Sequence, residues 1–539
     1  MNASEKSKII TLGIFVIAAA AVGVLLLRPK KPVRRVSDSA AGSTQKSASE
    51  STTKLTTGTA INTASGTVIG SASGSAIDAA SGTATGTASV PSGTAAQNKP
   101  VLKDGFLLLQ GGSVSMGSPE TEIWRETDEI RHEVTVPAFY IDPYEVCQSD
   151  YQKVTGDNPS VRKGDDLPVE NVTWYDAVRY CNSLSTLRGV TPVYQIDGST
   201  VTWNTGADGY RLLTEAEWEY ACRADTQTIF TGGDRIDSST VNFEGSYPLD
   251  IERNYVSRSD PNVVTSPYRG KTVAVDALTP NAFGLFNMHG NVSEWVFDSY
   301  GAYDVQNTDN PKGPAAGRLK VNRGGSFIDF AKHLRSACRS AANPLDTDEN
   351  LGFRIGRNAV TKENGSFTAK VPEHPVIPDK PKILLAYFSY SGNDKKAAGE
   401  IAAMTGADLF EIERAEPYGG DIYDVSAKEL WNYMTDGTVP ALKNDAVNPA
   451  GYDVIILGYP TWWATLPTPV AAFLKGHDFA GKTVITFSSN GGTQFGDSVS
   501  DLSKLIPEAC VGIGYQFYYG DYKRDEIKTW LKENRIPFL

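Results

Sequence analysis

Cysteine and histidine are scarce in this chain of 539 residues, and each scarcity excludes a class of site. The five cysteines lie far apart and include no Cys-x-x-Cys pair, so neither a zinc site nor a dense disulfide scaffold is expected. The five histidines never fall at the spacing of a helical metal-binding motif. Acidic residues outnumber basic ones, which gives a formal net charge of -12. Because no cluster of Lys and Arg forms a basic face, the sequence argues against nucleic-acid binding.

Aromatic residues are absent between Phe15 and Phe106. Within that stretch, residues 36–100 form a Ser/Thr/Ala/Gly tract with loose repeats such as TASGT and SASGS. Such a tract cannot bury enough apolar surface to offset the entropy that it would lose on ordering. We therefore predict a flexible tether, and a structural β-repeat is the alternative.

Charged residues are absent from residues 9–27, which are mostly apolar and just long enough to span a bilayer as a helix. Residues 1–35 are thus predicted to be a short tail with a retained transmembrane anchor. The basic run RPKKPVRR follows directly, and positive residues favour the cytoplasmic side. A short tail with a long tether is instead typical of an exported domain. We expect the soluble domains to be extracytoplasmic, with the cytoplasmic face as the alternative.

Residues 101–358 differ sharply in composition from the tether, because they are rich in Trp, Tyr, Gly and Asn. The few helical stretches indicate a loop-rich α+β domain. Two helix starts are predicted at Thr173 and Thr214, each of which has an acidic residue three positions later, as in a capping box. Residues 359–380 contain several prolines and predict a short, stiff linker.

Residues 381–539 alternate apolar strand-like runs with helical stretches, beginning with KILLAYFS and DKKAAGEIAAM. Alternation of this kind predicts an α/β domain with a doubly wound parallel sheet, covered by helices on both faces. Ligands in such folds bind at the carboxyl ends of the strands. The loops that follow these strands are therefore the places to look for a site.

Three such loops carry the candidate binding residues. The first precedes a helix and offers hydroxyls and free backbone N–H groups to a phosphate. The second places two tryptophans where their rings can stack on a flat ligand, and the third offers amide groups to its polar edge. Helix capping and core packing are the alternatives. The candidates are Ser389, Ser391, Gly392, Asn393, Pro460, Thr461, Trp462, Trp463, Ser488, Asn490 and Gly491.

The segments YFSYSGN, GYPTWWATLPTP and SSNGG resemble the phosphate loop and the two flavin loops of the flavodoxin family. The resemblance covers residues 381–539 and implies noncovalent binding of FMN at the candidate residues, with electron transfer as the function. One departure is Asp394, where the family usually has Thr. We expect its carboxylate to face the phosphate and to weaken FMN binding.

The middle domain is similar to the formylglycine-generating enzyme (sulfatase-modifying factor) superfamily, whose fold is a variant of the C-type lectin. The similarity lies in the successive blocks FLLLQGGSVSMGS, RLLTEAEWEYACRAD, NAFGLFNMHGNVSEW, RGGSF and GFR. Active members use a reactive cysteine pair just after the RGGSF block. Here that segment has only Cys338, and Asp329 stands near the first expected position. The resemblance therefore predicts a domain that does not generate formylglycine.

The NMHGNVSEW block carries a further implication of the same resemblance, a structural calcium site. Side-chain oxygens of Asn287 and Glu294, with backbone oxygens of Gly290 and Val292, would be its ligands. The alternative is a turn held by its own hydrogen bonds. His289 in this block is expected to be structural.

Together these features predict a membrane-anchored flavoprotein whose terminal domain transfers electrons through FMN. The middle domain would serve in binding or in an oxidation of unknown kind. Its partner would be a redox protein or a small-molecule substrate. An alternative is an anchored carbohydrate- or protein-binding module with a cofactor-free flavodoxin-like domain. A third hypothesis gives the middle domain a redox metal.

Overall fold

The structure is a computed structural model, and it describes residues 101–103, 105–246, 265–359, 365–373 and 375–538. The described residues all lie within one compact unit. The predicted membrane helix at 9–27 and the predicted tether at 36–100 lie outside the described residues. Among the residues that are described, no helix is both long and apolar enough to cross a membrane.

The first domain of the described chain consists of short helices and strands. Its helices are α1 (Gln148–Thr155), α2 (Trp174–Leu187) and α3 (Glu215–Arg223). Its strands are β1 (Val101–Lys103), β2 (Phe106–Leu109), β3 (Gly112–Met116), β4 (His132–Val136), β5 (Phe139–Ile141), β6 (Tyr194–Asp197), β7 (Thr200–Asn204), β8 (Tyr210–Leu212), β9 (Ser293–Ser299), β10 (Lys320–Arg323), β11 (Ser340–Ala342), β12 (Leu351–Phe353), β13 (Ile355–Asn358) and β14 (Ser366–Lys370). Helices α2 and α3 begin with full capping boxes at Thr173 and Thr214, which confirms both predicted helix starts.

The strands of this domain form several small sheets. The largest has the order β1-β2-β5-β13-β8, and a second has the order β11-β10-β9-β12. In a third sheet, β14 pairs antiparallel with β7, with Phe367 opposite Trp203. Residues 366–370 therefore belong to the first domain, although a linker was predicted over 359–380. Their apolar residues pack against a hydrophobic core, and the proline-rich pattern begins only after them.

The second domain is an α/β domain, as predicted. Its strands are β15 (Ile383–Tyr387), β16 (Asp408–Glu411), β17 (Val454–Pro460), β18 (Thr483–Asn490), β19 (Cys510–Val511) and β20 (Tyr515–Tyr518). Its helices are α4 (Asn393–Thr405), α5 (Ile422–Asp436), α6 (Thr468–Gly476), α7 (Ser498–Leu505) and α8 (Arg524–Glu533). The strands form a parallel sheet in the order β16-β15-β17-β18-β19, and β20 also pairs with β18.

Helices cover both faces of this sheet. Successive residues of a strand point to opposite faces, so each strand contributes to two cores. Leu384 and Ile455 pack in the core that contains residues of α6 and α7, whereas Leu385 and Ile456 pack with α4 and α8. The carboxyl ends of β15, β17 and β18 consequently meet at one edge, where the three predicted loops lie.

The two domains contact each other through largely buried charges. Lys504 of α7 forms an ion pair with Glu126 of the first domain, and its Nζ lies 3.2 Å from Oδ1 of Asp128. Burial raises the pKa of the Glu126 carboxyl to about 7, against the lowering effect of Lys504. Removal of Lys504 would take away the ion-pair partner of Glu126, whereas Asp128 would keep Arg339 at 3.5 Å and the Tyr300 hydroxyl at 2.7 Å.

A second polar contact centres on Asp497, at the start of α7. Its carboxylate pairs with the His333 imidazole and accepts a hydrogen bond from the Ser340 hydroxyl, both from the first domain. Burial raises the pKa of Asp497, but His333 and the hydrogen bonds outweigh it and hold the pKa at about 2. The carboxylate therefore stays ionised and keeps both partners.

Candidate functional site

The phosphate loop joins β15 to α4. Gly392 caps the helix with a φ of 86°, a left-handed conformation that favours glycine, and no side chain caps the first turn. The first N–H groups of α4 are thus left for a ligand. The hydroxyl oxygen of Ser389 is buried and has no hydrogen-bond partner among the described residues. An anion that accepts these N–H groups and this hydroxyl would satisfy them, so the loop fits a phosphate.

Asp394 does not face this loop, which corrects the sequence prediction. Its carboxylate is fully buried, accepts the backbone N–H of Ser489 at 3.0 Å and accepts the Ser489 hydroxyl at 2.8 Å. Burial raises the pKa of Asp394 to about 6, against these hydrogen bonds, which lower it. The second residue of α4 points inward to the sheet, so the carboxylate ties the helix to the end of β18 rather than competing with a phosphate.

The second loop holds its two tryptophans differently. Trp463 has a φ of 55°, and its indole N–H donates to the Ser426 hydroxyl at 3.0 Å. A positive φ is costly for a bulky residue, so the loop is held in a strained conformation. Trp462 instead packs edge-on against Phe388 and Tyr418, at ring-centroid distances of 5.4 and 5.5 Å. Trp463 is therefore fixed by a polar contact, and Trp462 by aromatic packing.

The third loop is joined to the second. The Ser488 hydroxyl is fully buried and lies 2.6 Å from the Thr461 hydroxyl oxygen. Beyond it, the side-chain oxygen of Asn490 accepts the N–H of Gly492 at 2.9 Å, which shapes the end of the strand. Ser488 therefore links the second loop to the third.

One cavity of about 550 Å³ lies between these loops, a volume within the range of small-molecule sites. The predicted residues that line it are Ser391, Asn393, Pro460, Thr461, Trp462, Trp463, Asn490 and Gly491. Ser389, Gly392 and Ser488 are not among its lining residues. The other second-domain residues of the lining are Tyr390, Ser489 and Gly492, which belong to the predicted loops, and Ile422, Tyr423, Ser426, Thr493 and Tyr519, which the sequence did not single out.

Four further lining residues come from the first domain, and they are Glu244, Tyr268, Ile328 and Phe330. The ring centroids of Phe330 and Trp463 lie 6.2 Å apart, within the range of an aromatic pair. No local sequence signal marks these four, because they reach the cavity only through the packing of the domains. The stretch after the RGGSF block is the one clue, since the resemblance noted in the sequence implies reactive residues there.

Cys338, the one cysteine after that block, is buried beside the contact between the domains. Burial raises the pKa of its thiol well above the usual range. Ligand atoms of Cys338, His333 and Asp497 lie within 4.8 Å of one another, a grouping that could hold a metal ion. His333 and Asp497, however, pair directly with each other. The arrangement supports a neutral thiol beside an ion pair.

Cys222 and His289 also lie together, with the sulfur 3.7 Å from Nε2. Burial raises the pKa of the thiol to about 12 and lowers the pKa of the imidazole to about 4. Both groups are therefore neutral near pH 7, which differs from the thiolate that nucleophilic catalysis requires. Nδ1 of His289 lies 2.7 Å from the backbone oxygen of Leu334, a contact that suits the expected structural role.

The predicted calcium ligands lie in one buried turn and strand, but their contacts do not support a calcium ion. The carboxylate of Glu294 is engaged by Arg354, at 2.7 Å, and by the indole N–H of Trp218, at 2.8 Å. Asn287 offers one buried side-chain oxygen without a hydrogen-bond partner among the described residues. Calcium takes six to eight oxygen ligands, and this set with Gly290 and Val292 does not fit it.

A parallel sheet with an anion loop and an aromatic loop at its carboxyl edge defines a flavodoxin-type domain, here packed against an α+β partner. A family model for the sulfatase-modifying factor enzyme 1-like domain matches residues 92–359, and a flavodoxin model matches residues 382–534. The chain therefore belongs to the sulfatase-modifying factor enzyme 1-like family and carries a C-terminal flavodoxin domain.

Individual relatives match one domain or the other. Chaperone protein LppX of Paenibacillus barcinonensis is 31% identical over 292 residues, which cover 50% of this chain and 94% of the relative. The formylglycine-generating enzyme of Mus musculus is 29% identical over 301 residues, or 49% of this chain and 77% of the relative. Among solved structures, a putative flavoprotein from Bacteroides eggerthii is 33% identical, with a TM-score of 0.26, and the match covers 28% of this chain and 96% of that one.

Proposed function

We propose that the chain is a flavoprotein that binds FMN in the cavity at the carboxyl edge of the parallel sheet and transfers electrons through it. The observation that carries this proposal is that an anion loop and an aromatic loop open into the same cavity. Ser391 and Asn393 line it beside the free start of α4, and Trp463 lines it from the second loop. The match to the flavodoxin family supports the same conclusion.

The residues divide the work of holding the cofactor. Ser389, Ser391, Gly392 and Asn393 would bind the phosphate. The ring would lie among Pro460, Thr461, Trp462, Trp463, Asn490 and Gly491, with Ser488 as a support. When bound, FMN supplies transfer of one or two electrons. The protein orients the ring and excludes water from its faces.

The first domain is proposed to lack formylglycine-generating activity and to serve in binding or in an oxidation. The single neutral thiol of Cys338 supports the first part, because that chemistry needs two reactive thiolates. The packing of this domain against the flavin cavity supports the second part. Its relatives include both a chaperone and formylglycine-generating enzymes by name, and the family therefore does not decide the role.

We extend the proposal to the N-terminal segment. The uncharged run at residues 9–27 supports a membrane anchor, and the tether at 36–100 would separate it from the folded domains. The soluble domains are proposed to be extracytoplasmic, with the cytoplasmic face as the alternative.

Charge placed in the anion loop tests the cofactor proposal. Ser391 is exposed, so Ser391→Asp is expected to fold normally while placing a carboxylate at the phosphate site. Two unit charges about 6 Å apart repel by roughly 0.7 to 3 kcal/mol, so FMN should bind about 3- to 100-fold more weakly. Riboflavin has no phosphate and should bind both forms equally. Titrations followed by flavin fluorescence measure both ligands.

Ser149→Asp provides a matched control, because Ser149 lies in the first turn of α1 in the other domain. This variant should bind FMN as the unaltered protein does. A purified chain that is colourless and takes up no FMN would refute the proposal and favour a cofactor-free binding module. Equal weakening of FMN and riboflavin would place the phosphate elsewhere.

A further inference from the structure

The wall that the first domain contributes to the cavity is built from two pairs of residues. One pair is Ile328 and Phe330, which are 4% and 5% exposed, and the other is Glu244 and Tyr268. Buried apolar side chains that line a cavity are already desolvated on their other sides, so covering their remaining surface is favourable. The apolar part of the wall, Ile328 and Phe330, therefore suits contact with an apolar or aromatic ligand.

Hydrogen bonds hold the two pairs in place relative to each other. The backbone N–H of Glu244 donates to the backbone oxygen of Asp329 at 2.9 Å. The Asp329 carboxylate accepts the N–H and hydroxyl of Ser326 at 2.8 and 2.6 Å, which fixes the turn that presents Phe330. Three residues after Phe330, His333 pairs with Asp497 of the second domain. The wall is therefore anchored to both domains.

The chemistry of the lining limits what can enter. Tyr390, Tyr423 and Tyr519 are exposed at the cavity, and Phe330 and Trp463 lie deeper. Glu244 carries the one formal charge among the described lining residues, which include no Lys, Arg or His. Among the described lining residues, a negatively charged ligand would meet this carboxylate and no Lys, Arg or His. A phosphate at the start of α4 is the exception, because backbone N–H groups would bind it. Flat neutral or cationic molecules would instead stack on the rings.

We propose that the cavity is a two-domain active site, in which the first domain closes over the flavin and the second reactant is a small aromatic molecule without negative charge, not a redox protein. This inference rests on the proposed FMN function. The first domain then has a role, covering the flavin, and this role needs no reactive cysteine. Phe330 and Glu244 are the residues that select the reactant, the first by covering the site and the second by its charge.

Aromatic probes test the charge preference. Benzamidine and benzoate are titrated into the FMN-loaded full chain, and binding is followed by the shift of the flavin absorption band. Benzamidine should bind more tightly than benzoate. Glu244→Gln should reduce the ratio of the two dissociation constants by about 3- to 100-fold, the range expected for loss of one nearby charge. Glu133→Gln, at an exposed position of β4, is the control and should change nothing. Equal or tighter binding of benzoate by the unaltered protein would overturn the proposal.

The rate at which the reduced flavin is reoxidised tests whether the cavity excludes a redox protein. Protein reduced with dithionite and freed of excess reagent is mixed with 1,4-benzoquinone or with cytochrome c. One benzoquinone takes both electrons of reduced FMN with two protons, and cytochrome c takes one electron per molecule. Cytochrome c is basic and the chain has a net charge of -12, so encounter itself is favoured. Benzoquinone should nevertheless react much faster.

Variants show whether the Phe330 side chain acts by covering the cavity or only by holding the two domains together. Phe330→Ala should speed the reaction with cytochrome c and weaken FMN binding by about 2- to 12-fold, the range for loss of an aromatic pair. Phe330→Leu keeps an apolar cover and should react slowly with cytochrome c. Trp124→Ala removes another contact between the domains, with Trp431, and should leave both properties unchanged.

The outcomes distinguish the two proposals. If the chain takes up no FMN, the proposed function fails. If FMN binds but cytochrome c oxidises the unaltered protein as fast as benzoquinone does, only the two-domain site is refuted. The same holds if Trp124→Ala matches Phe330→Ala, because the effect would then come from loosened domains.

Discussion

The buried carboxylate of Asp394 makes the stability of the protein depend on pH in a defined direction. An aspartate in an unfolded chain has a pKa of about 3.9, whereas burial raises the pKa of Asp394 to about 6. The native state therefore binds this proton more tightly than the unfolded state. Its contribution to stability is fully present below pH 4, is lost as pH rises toward 6, and is constant above that.

The magnitude follows from the shift of the pKa. One pKa unit corresponds to about 1.36 kcal/mol, so about two units correspond to roughly 3 kcal/mol. Asp394→Asn removes the titration and keeps an oxygen that can accept the N–H of Ser489. The free energy of unfolding of the variant, minus that of the unaltered protein, should thus rise by roughly 2 kcal/mol between pH 4 and pH 7, because part of the full effect is already lost at pH 4.

Urea unfolding followed by tryptophan fluorescence at several pH values measures this difference. Taking the difference cancels the other buried carboxyls, whose surroundings the substitution leaves alone. Asp478→Asn is the control, because Asp478 is exposed and also accepts one backbone N–H, at 2.8 Å. For the control, the difference in free energy of unfolding from the unaltered protein should not change with pH. If the same holds for Asp394→Asn from pH 4 to pH 7, the Asp394 carboxyl is not buried as the structure has it.

Three other predictions concern the rest of the chain. Incubation of a sulfatase-type peptide with the protein and copper should give no formylglycine by mass spectrometry, since Cys338 has no second reactive thiol, and stoichiometric conversion would contradict this. Lys504→Ala should lower the free energy of unfolding by about 3 to 5 kcal/mol, because it removes the ion-pair partner of Glu126 from a largely buried cluster. Lys528→Ala, at an exposed pair, should cost no more than about 1 kcal/mol in the same urea titration. The intact chain should stay in the membrane fraction on carbonate extraction, and deletion of residues 9–27 should release it. Release of the intact chain would refute the anchor.

The parallel sheet and its three loops could be predicted because their signals are local. Apolar runs alternate with helical stretches, and each loop follows its own strand. The starts of α2 and α3 were equally readable, since Thr173 and Thr214 form capping boxes within a few residues. The strand at 366–370 was missed because its pairing partner, β7, lies far away in the chain.

Two features of the site could not be read from local patterns. The direction of Asp394 depends on which face of α4 meets the sheet, and proximity to a helix start wrongly suggested contact with the phosphate. The approach of Phe330 to Trp463 depends on docking of two separately folded regions. The ion pair of Glu294 with Arg354 is a further case, because the sequence block alone left its carboxylate free for calcium.

The charges shared across the domain boundary have a consequence for how the molecule comes apart. Lys504 and Asp497 belong to one helix region of the second domain, yet their partners Glu126 and His333 belong to the first. Proteolytic separation would leave each half with ionised groups that the other half had neutralised. The two halves should therefore melt in a single transition and resist exchange with the corresponding halves of relatives, unless both sides of each pair are exchanged together.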